Sequence, residues 1–425
     1  HPRLMPRMKS PACPEATGST RSAYLKVLLY PPPGKKTEEN EINKKIGMQA
    51  FPLLLAAMLV STGFVPIASA IAGEGAGIDF DRYSLPQLNV DPSIETIAIS
   101  EALSPQSERR ITDSRTEGGI PLGSIVVHAA DGITQVFDKN GNQLLSISDE
   151  KSGKLPTPAG VEKSCTRLHQ LPNDSRVYHR GDQTFVLDAA GELILTVIDK
   201  TPSSGRNVAE PKMWTGGNSW VESAEDRPNS EITEYTAYWT VPSSPPSGLA
   251  INERIYLFNG IEGTVNSTTY LLQPVLAYNG STHQWEGQAW AAYSPNYQDS
   301  YYGPLFGTAT GHTMRGRIYW SSSLNLWSIT IYDHTTGQYS SLSTQCMQPG
   351  AGCRVGCVLE GWNIDDNTDV PGDTLFYDMV YKSYGAPMSI DLEPWYSTEV
   401  PYEIMRYCQV QIIQNPSRVC LHTYN

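Results

Sequence analysis

The sequence predicts an all-β chain whose C-terminal half folds as a two-sheet antiparallel β-sandwich. Three observations carry that prediction. From residue 216 onward, short runs rich in β-branched and aromatic residues follow one another, each closed by Gly, Pro, Asn or Ser. Nowhere does an apolar period of 3.6 hold for three turns. Between Gly216 and Asn425 lie 8 of the 9 Trp and 19 of the 23 Tyr, and Lys382 is the only lysine. A boundary near Trp214 therefore separates two kinds of sequence.

The 425 residues carry 31 Lys+Arg against 44 Asp+Glu, a net charge of −13, and are 40% hydrophobic. Such content supports packed domains and not wholesale disorder. A strongly acidic surface repels phosphate backbones, so nucleic acid is not an expected partner.

Taken in order, residues 1–47 mix Pro, Lys and small polar residues without period, and read as a disordered leader or mistranslated upstream sequence. Residues 48–70 read as a signal peptide: Lys44-Lys45, an apolar stretch from Ala50 to Val60, then the small-x-small exit Ala68-Ser69-Ala70. Pro52, Pro66 and that exit favour cleavage over a membrane anchor of about 20 residues. A secreted protein with no stable membrane insertion is expected, membrane-anchored if the segment stays uncleaved. In an oxidising compartment Cys165, Cys346, Cys353, Cys357, Cys408 and Cys420 are expected to form disulfides, with the pairing open. Asn173, Asn266 and Asn279 open sequons compatible with export.

Residues 71–215 contain two similar units about 50 residues apart. One runs Val126-Val127-His128 through Asp138-Lys139-Asn140-Gly141 to Ile147; the other runs Val177-Tyr178-His179 through Asp188-Ala189-Ala190-Gly191 to Leu195. Both read as strand, Asp-x-x-Gly turn, strand. His128 and His179 match in position; a shared metal is conceivable, but plain surface histidines are the expectation. The region carries no catalytic motif and reads as a β-rich accessory or pro-region, linked by the Pro/Ser/Gly-rich stretch Thr201–Gly217.

In the sandwich, 216–425, strands are expected at Tyr235–Val241, Ile255–Ile261, Tyr270–Tyr278, Trp285–Tyr293, Thr313–Trp320, Trp327–Tyr332, Val355–Ile364, Leu375–Tyr381 and Cys408–Ile413. Two polar residues interrupt apolar runs. Alternation places Gln273 on the face of Leu271 and Val275, where an unpaired amide costs roughly 1–3 kcal/mol. Glu360 sits among Val358, Leu359 and Trp362, and a buried carboxylate there is a candidate acid or base.

With these residues in view, the chain resembles a known family. Tyr235-Thr-Ala-Tyr-Trp239-Thr-Val-Pro242, Leu257-Phe-Asn-Gly-Ile-Glu262, Leu272-Gln-Pro-Val275 and Leu359-Glu-Gly-Trp362 resemble motifs of the glutamic peptidases (eqolisins) and their secreted relatives, over about residues 215–380. The resemblance implies a concanavalin-like sandwich, with Gln273 and Glu360 where that family carries its catalytic pair. Pro274 departs from the small residue favoured there, and Ser383–Asn425 has no counterpart. Trp239, Glu262, Trp285, Trp290 and Trp362 are candidate substrate-binding residues.

A carboxylate and a carboxamide suffice for peptide hydrolysis in acid. Glu360 takes a proton from water, and Gln273 orients that water and donates to the oxyanion. No cofactor or metal is expected: Cys346, Cys353 and Cys357 lack a second pair or nearby His, and Asp365–Asp373 reads as a solvated turn although calcium is conceivable. His283, His312 and His334 read as surface or turn histidines, outside any triad. The expected partner is a polypeptide substrate, cut by a monomer. Two alternatives stand beside the peptidase: a carbohydrate-binding sandwich using the dense Trp and Tyr, and a glycosidase using Glu262 and Glu360, which requires carboxylates about 5–9.5 Å apart.

Overall fold

The computed structural model describes residues 80–83, 85–97, 120–158, 160–201, 220–265, 268–294, 299–397 and 400–423. The leader, the signal segment, the linker 202–217 and Asn266 lie outside them. The N-terminal module contains β1 (Thr96–Ile97), β2 (Ser124–His128), β3 (Ile133–Phe137), β4 (Gln143–Ser148), β5 (Lys154–Thr157), β6 (Val161–Ser164), β7 (Leu168–Gln170), β8 (Ser175–Arg180), β9 (Gln183–Leu187) and β10 (Leu193–Asp199). The sandwich begins with β11 (Trp220–Asp226), β12 (Glu234–Thr240), β13 (Arg254–Val265), β14 (Thr268–Asn279), β15 (Gln284–Ser294), β16 (Ser300–Tyr302), β17 (Phe306–Thr308) and β18 (Thr313–Ser321). It continues with β19 (Leu326–Asp333), β20 (Tyr339–Thr344), β21 (Arg354–Trp362), β22 (Thr374–Ser383), β23 (Ala386–Pro387), β24 (Glu393–Tyr396), β25 (Gln409–Gln414) and β26 (Arg418–His422).

Each predicted sandwich run overlaps a strand, and three overrun it, since Val241, Asn363, Ile364 and Cys408 lie outside β12, β21 and β25. One sheet runs β20-β19-β18-β12-β22-β26-β25 and the other β24-β11-β21-β13-β14-β15-β16, with β14 packed over β18 and β19. Pleating sends alternate residues to opposite faces. Trp239, Trp327, Ile318, Ile255, Leu257, Leu272 and Leu359 meet between the sheets. Tyr256, Phe258, Leu271, Val275, Trp290 and Val358 form a second buried layer on the outer face of the β13–β14–β21 sheet. At about 25 cal/mol per Å² of apolar area, a two-sided sheet of this kind is stabilised on both faces.

The repeat of the N-terminal module is real structure. Strands β2–β3–β4 and β8–β9–β10 each carry the expected turn, and β10 joins the copies by pairing parallel to β2. Asp138 Oδ1 accepts from the N–H groups of Asn140 (2.9 Å) and Asn142 (2.8 Å), while Gly141 takes φ 85°. Asp188 and Gly191 repeat the arrangement, with φ 89° at the glycine. The module is then spliced into both sandwich sheets by parallel pairing, β8 beside β20 and β7 beside β16.

The expected disulfides are not found: none joins the six described cysteines. They are dispersed, Cys165 in the N-terminal module, Cys357 inside the central strand β21, and Cys420 with its Sγ 3.7 Å from His422 Nδ1. Burial pushes the thiols of Cys346 and Cys357 up to about 12, keeping them protonated. The acidic run 365–373 spends its carboxylates on backbone. Asp369 Oδ2 accepts from the N–H of Asp365 (3.0 Å) and Asp366 (3.1 Å), and Asp366 caps a 3₁₀ turn.

Candidate active site

Gln273 and Glu360 are both fully buried, and strand alternation places them on the outer face with Val275 and Val358. Register sets them apart along the sheet. Glu360 pairs with Tyr256. Gln273 stands level with Gly260, since Phe258 pairs with Val275 and Ile261 with Leu272; Gly260 in turn pairs with Gly356. Four residues along a strand is about 13 Å, so the backbones are offset and Phe258 lies between them.

What joins the two side chains is the tip of the β5–β6 hairpin. Gln273 Nε2 donates to the carbonyl of Pro158, and the N–H of Gly160 donates to Glu360 Oε1 at 3.1 Å. Tyr256 Oη donates to the carbonyl of Pro156 at 3.2 Å, and Leu155 packs into the apolar layer beneath. A peptide of the chain's own N-terminal module thus lies across both candidate groups. Gln273 Oε1 is buried without a hydrogen-bond partner, an acceptor left over for a further donor.

Beside Gln273 the same face opens into a small pocket lined by Trp220, Gly260, Glu262, Arg354 and Gly356. Arg354 Nε lies 3.0 Å from Glu225 Oε2, and its Nη1 lies 3.6 Å from Glu262 Oε2. Burial raises the Glu262 carboxyl to about 7 against the pull of Arg354. Of the other candidates, Trp290 pairs across from Gln273 on this face, and Trp362 is half-buried at the end of β21. Trp239 and Trp285 point the other way, into the core between the sheets, and touch neither pair member. The hairpin tip was invisible to sequence reading, because its contacts to the pair span 115 and 200 residues of chain.

The same geometry bears on both alternatives. Glu262 pairs with Arg354, six residues from Glu360 on β21, which is about 20 Å and far beyond glycosidase spacing. Trp220, Trp239, Trp285, Trp290, Trp320 and Trp327 are buried, and Trp362 and Trp395 half-buried, so the described tryptophans build core, while Tyr319, Tyr339, Tyr384, Tyr396 and Tyr402 stay exposed.

No protein-family model matches the chain, and no curated protein matches it in sequence. Among solved structures it is similar to a scytalido-glutamic peptidase bound to a peptide-based transition-state analog, at 17% identity and TM-score 0.34, over 48% of this chain and 98% of that one. A second scytalido-glutamic peptidase, with a transition-state analog inhibitor, gives 18% identity, TM-score 0.35 and the same coverage. SCP-B, an eqolisin-family peptidase in complex with the tripeptide Ala-Ile-His, gives 15% identity and TM-score 0.33, again over 48% and 98%.

Proposed function

We propose that the chain is an exported, acid-active endopeptidase of the glutamic type, held latent by its own N-terminal module. The observation that supports this most is the β5–β6 tip, a peptide whose carbonyl is held by Gln273 and whose N–H is held by Glu360. A substrate peptide takes the same path once the hairpin leaves. Its scissile carbonyl then accepts from Gln273 Nε2, the donor that strengthens as the oxyanion forms, worth roughly 3–4 kcal/mol for one such group. Water enters at Glu360 in the place left by the Gly160 N–H. The carboxylate takes its proton, the oxygen attacks the carbonyl carbon, and the proton passes to the leaving amine. In the latent chain the Gly160 N–H occupies Glu360 Oε1, so no water is activated there and the tip survives. Trp290, Trp362 and Glu262 line the substrate path, with the Glu262–Arg354 pocket receiving one side chain.

The no-metal, no-cofactor chemistry of this step requires only the two side chains. Full-length protein incubated below about pH 5 is expected to gain a new N-terminus between about residues 202 and 217 and then to degrade denatured protein. Glu360→Gln is expected to lose at least 10³-fold in turnover while its melting temperature stays within a few degrees. Full turnover in Glu360→Gln sinks the assignment.

A further inference from the structure

At the joint between β7 and β16 a second cluster stands apart from Gln273 and Glu360. His128 and His169 come from the N-terminal module, and Asp299 comes from the sandwich; both imidazoles are buried. His128 Nε2 lies 2.9 Å and His169 Nε2 3.0 Å from the same oxygen, Asp299 Oδ1. The expectation that His128 is a surface residue fails, because pairing β2 into the middle of the sheet covers it completely.

Proton counting shows what this arrangement lacks. Thr134 Oγ1 donates its single proton to Asp149 Oδ1 at 2.5 Å. At His128 Nδ1, 2.8 Å away, it can therefore only accept, so Nδ1 carries the N–H. In neutral His128 the Nε2 is then a bare lone pair. In that tautomer it has no proton to share with the carboxylate oxygen 2.9 Å away. Two buried lone-pair atoms at that separation need a positive centre near both. Bonds of about 2.0–2.2 Å from nitrogen and oxygen to zinc place neighbouring donors about 3 to 3.5 Å apart, which the observed spacings approach from the short side.

We propose that His128, His169 and Asp299 bind a divalent metal ion of the zinc class, stapling the N-terminal module to the sandwich. The surroundings are those of a supported site. The Thr134 hydroxyl and Asp149 behind it fix the His128 ring, the Asp–Thr–His relay that orients a metal-binding imidazole. Tyr301 stacks on His169 at 5.2 Å between ring centres. The repeat supplies a second His–Thr pair: His179 Nδ1 lies 3.0 Å from Thr184 Oγ1, and its ring packs edge-on to Tyr301. Water completes the coordination. Charge permits a dication, since Asp149, Asp199 and Asp299 surround Arg167 at 3.9, 3.4 and 3.9 Å, with Lys163 the other cation nearby. The proton alternative, His128 as imidazolium, fills the same need and is the outcome the test must separate.

The full chain, stripped with a chelator, is titrated with zinc ion and its metal content measured after dialysis. One zinc per chain is expected, held at micromolar concentration or tighter, with a rise in melting temperature. Cobalt(II) in its place is expected to give the visible absorption of a nitrogen- and oxygen-ligated ion. His128→Ala and the near-isosteric Asp299→Asn are expected to weaken binding at least 100-fold. His422→Ala, in the separate cluster with Asp373 and Cys420, is expected to leave one zinc bound. Should His128→Ala fail to fold, Asp299→Asn and the cobalt spectrum of the unaltered chain carry the test. No zinc on the unaltered chain, unchanged binding in Asp299→Asn, or loss in His422→Ala alone overturns the proposal.

Discussion

The N-terminal module and the sandwich are built from the same kind of strand and hold together in different ways. The sandwich joins long antiparallel strands, β13 and β14 of 12 residues each, around a core of Trp, Tyr and branched aliphatics. The module uses strands of seven residues or fewer, and meets the sandwich through short parallel edge pairings, hydrogen bonds to single side chains and the polar nest around Asp299. Its apolar residues are continuous with the sandwich core, so it is docked and not merely tethered. Polar contacts at an edge are reversible in a way that a buried aromatic core is not.

The contrast breaks most sharply at the hairpin tip. Gly160 sits at φ 68°, which proline cannot adopt, and its N–H is the donor to Glu360. Gly160→Pro is therefore expected to withdraw the tip and raise acid proteolysis of the uncleaved chain at least tenfold, with the sandwich's melting unchanged. Measuring activity with intact-mass analysis checks this. If the uncleaved variant stays as silent as the parent, the hairpin does not hold the site.

A smaller effect separates the regions by pH. Glu262 titrates near 7 in the folded chain because burial outweighs Arg354, against an ordinary value of 4.5. A raised carboxyl pKa means that the folded state binds the proton more tightly. Its stabilising share is complete below about 4.5 and is lost as pH rises through 7. Glu222 and Glu286 shift in the same direction for the same reason, burial. Asp333 acts oppositely. Burial disfavours its charge, yet His312, Thr308 and the N–H groups of Thr335 and Thr336 hold it at about 2, so its share persists until pH falls below the ordinary 3.8. The sandwich is thus expected to melt highest near pH 4–5. Glu262→Gln is expected to recover on the order of 2 kcal/mol at pH 7 and almost nothing at pH 4.5. Equal shifts at both pH values would remove Glu262 as a source of the slope.

Much of the sandwich was legible because its strands are long and alternate: β19 reads Trp327-Ser-Ile329-Thr-Ile331 and buries every second residue. The short strands β16, β17 and β20 were not, since Ser300-Tyr-Tyr and Tyr339-Ser-Ser-Leu-Ser-Thr become strands through their neighbours and not through their own pattern. Gln273 and Glu360 stood out as polar residues in apolar runs, a local signal. The tip that occupies them, and Asp299 beneath His128 and His169, are contacts between distant segments with no local trace. The candidate tryptophans divide, Trp290 beside Gln273 and Trp239 and Trp285 in the core, because composition counts aromatics without saying which face they occupy.

The smallest expected effect compares the two copies of the repeat within the module. Gly141 and Gly191 hold equivalent turns at φ 85° and 89°, where an L side chain is strained by about 1–2 kcal/mol. Their surroundings differ. A Cβ on Gly191 would meet nothing within 4 Å, whereas on Gly141 it would lie 2.2 Å from the carbonyl oxygen of Gln87. The segment before β1 runs beside the first turn, with Asn89 N–H donating to the Gly141 carbonyl at 2.8 Å. Gly191→Ala therefore carries the conformational strain alone, about 1 kcal/mol. Gly141→Ala adds the displacement of residues 86–89, for a further 1 kcal/mol or so by the usual cost of overpacking. Urea unfolding is expected to rank them in that order, and amide exchange in Gly141→Ala is expected to quicken at Asn89 and not in β12 to β15. Equal destabilisation by the two substitutions would mean that displacing residues 86–89 adds nothing to the strain at the first turn.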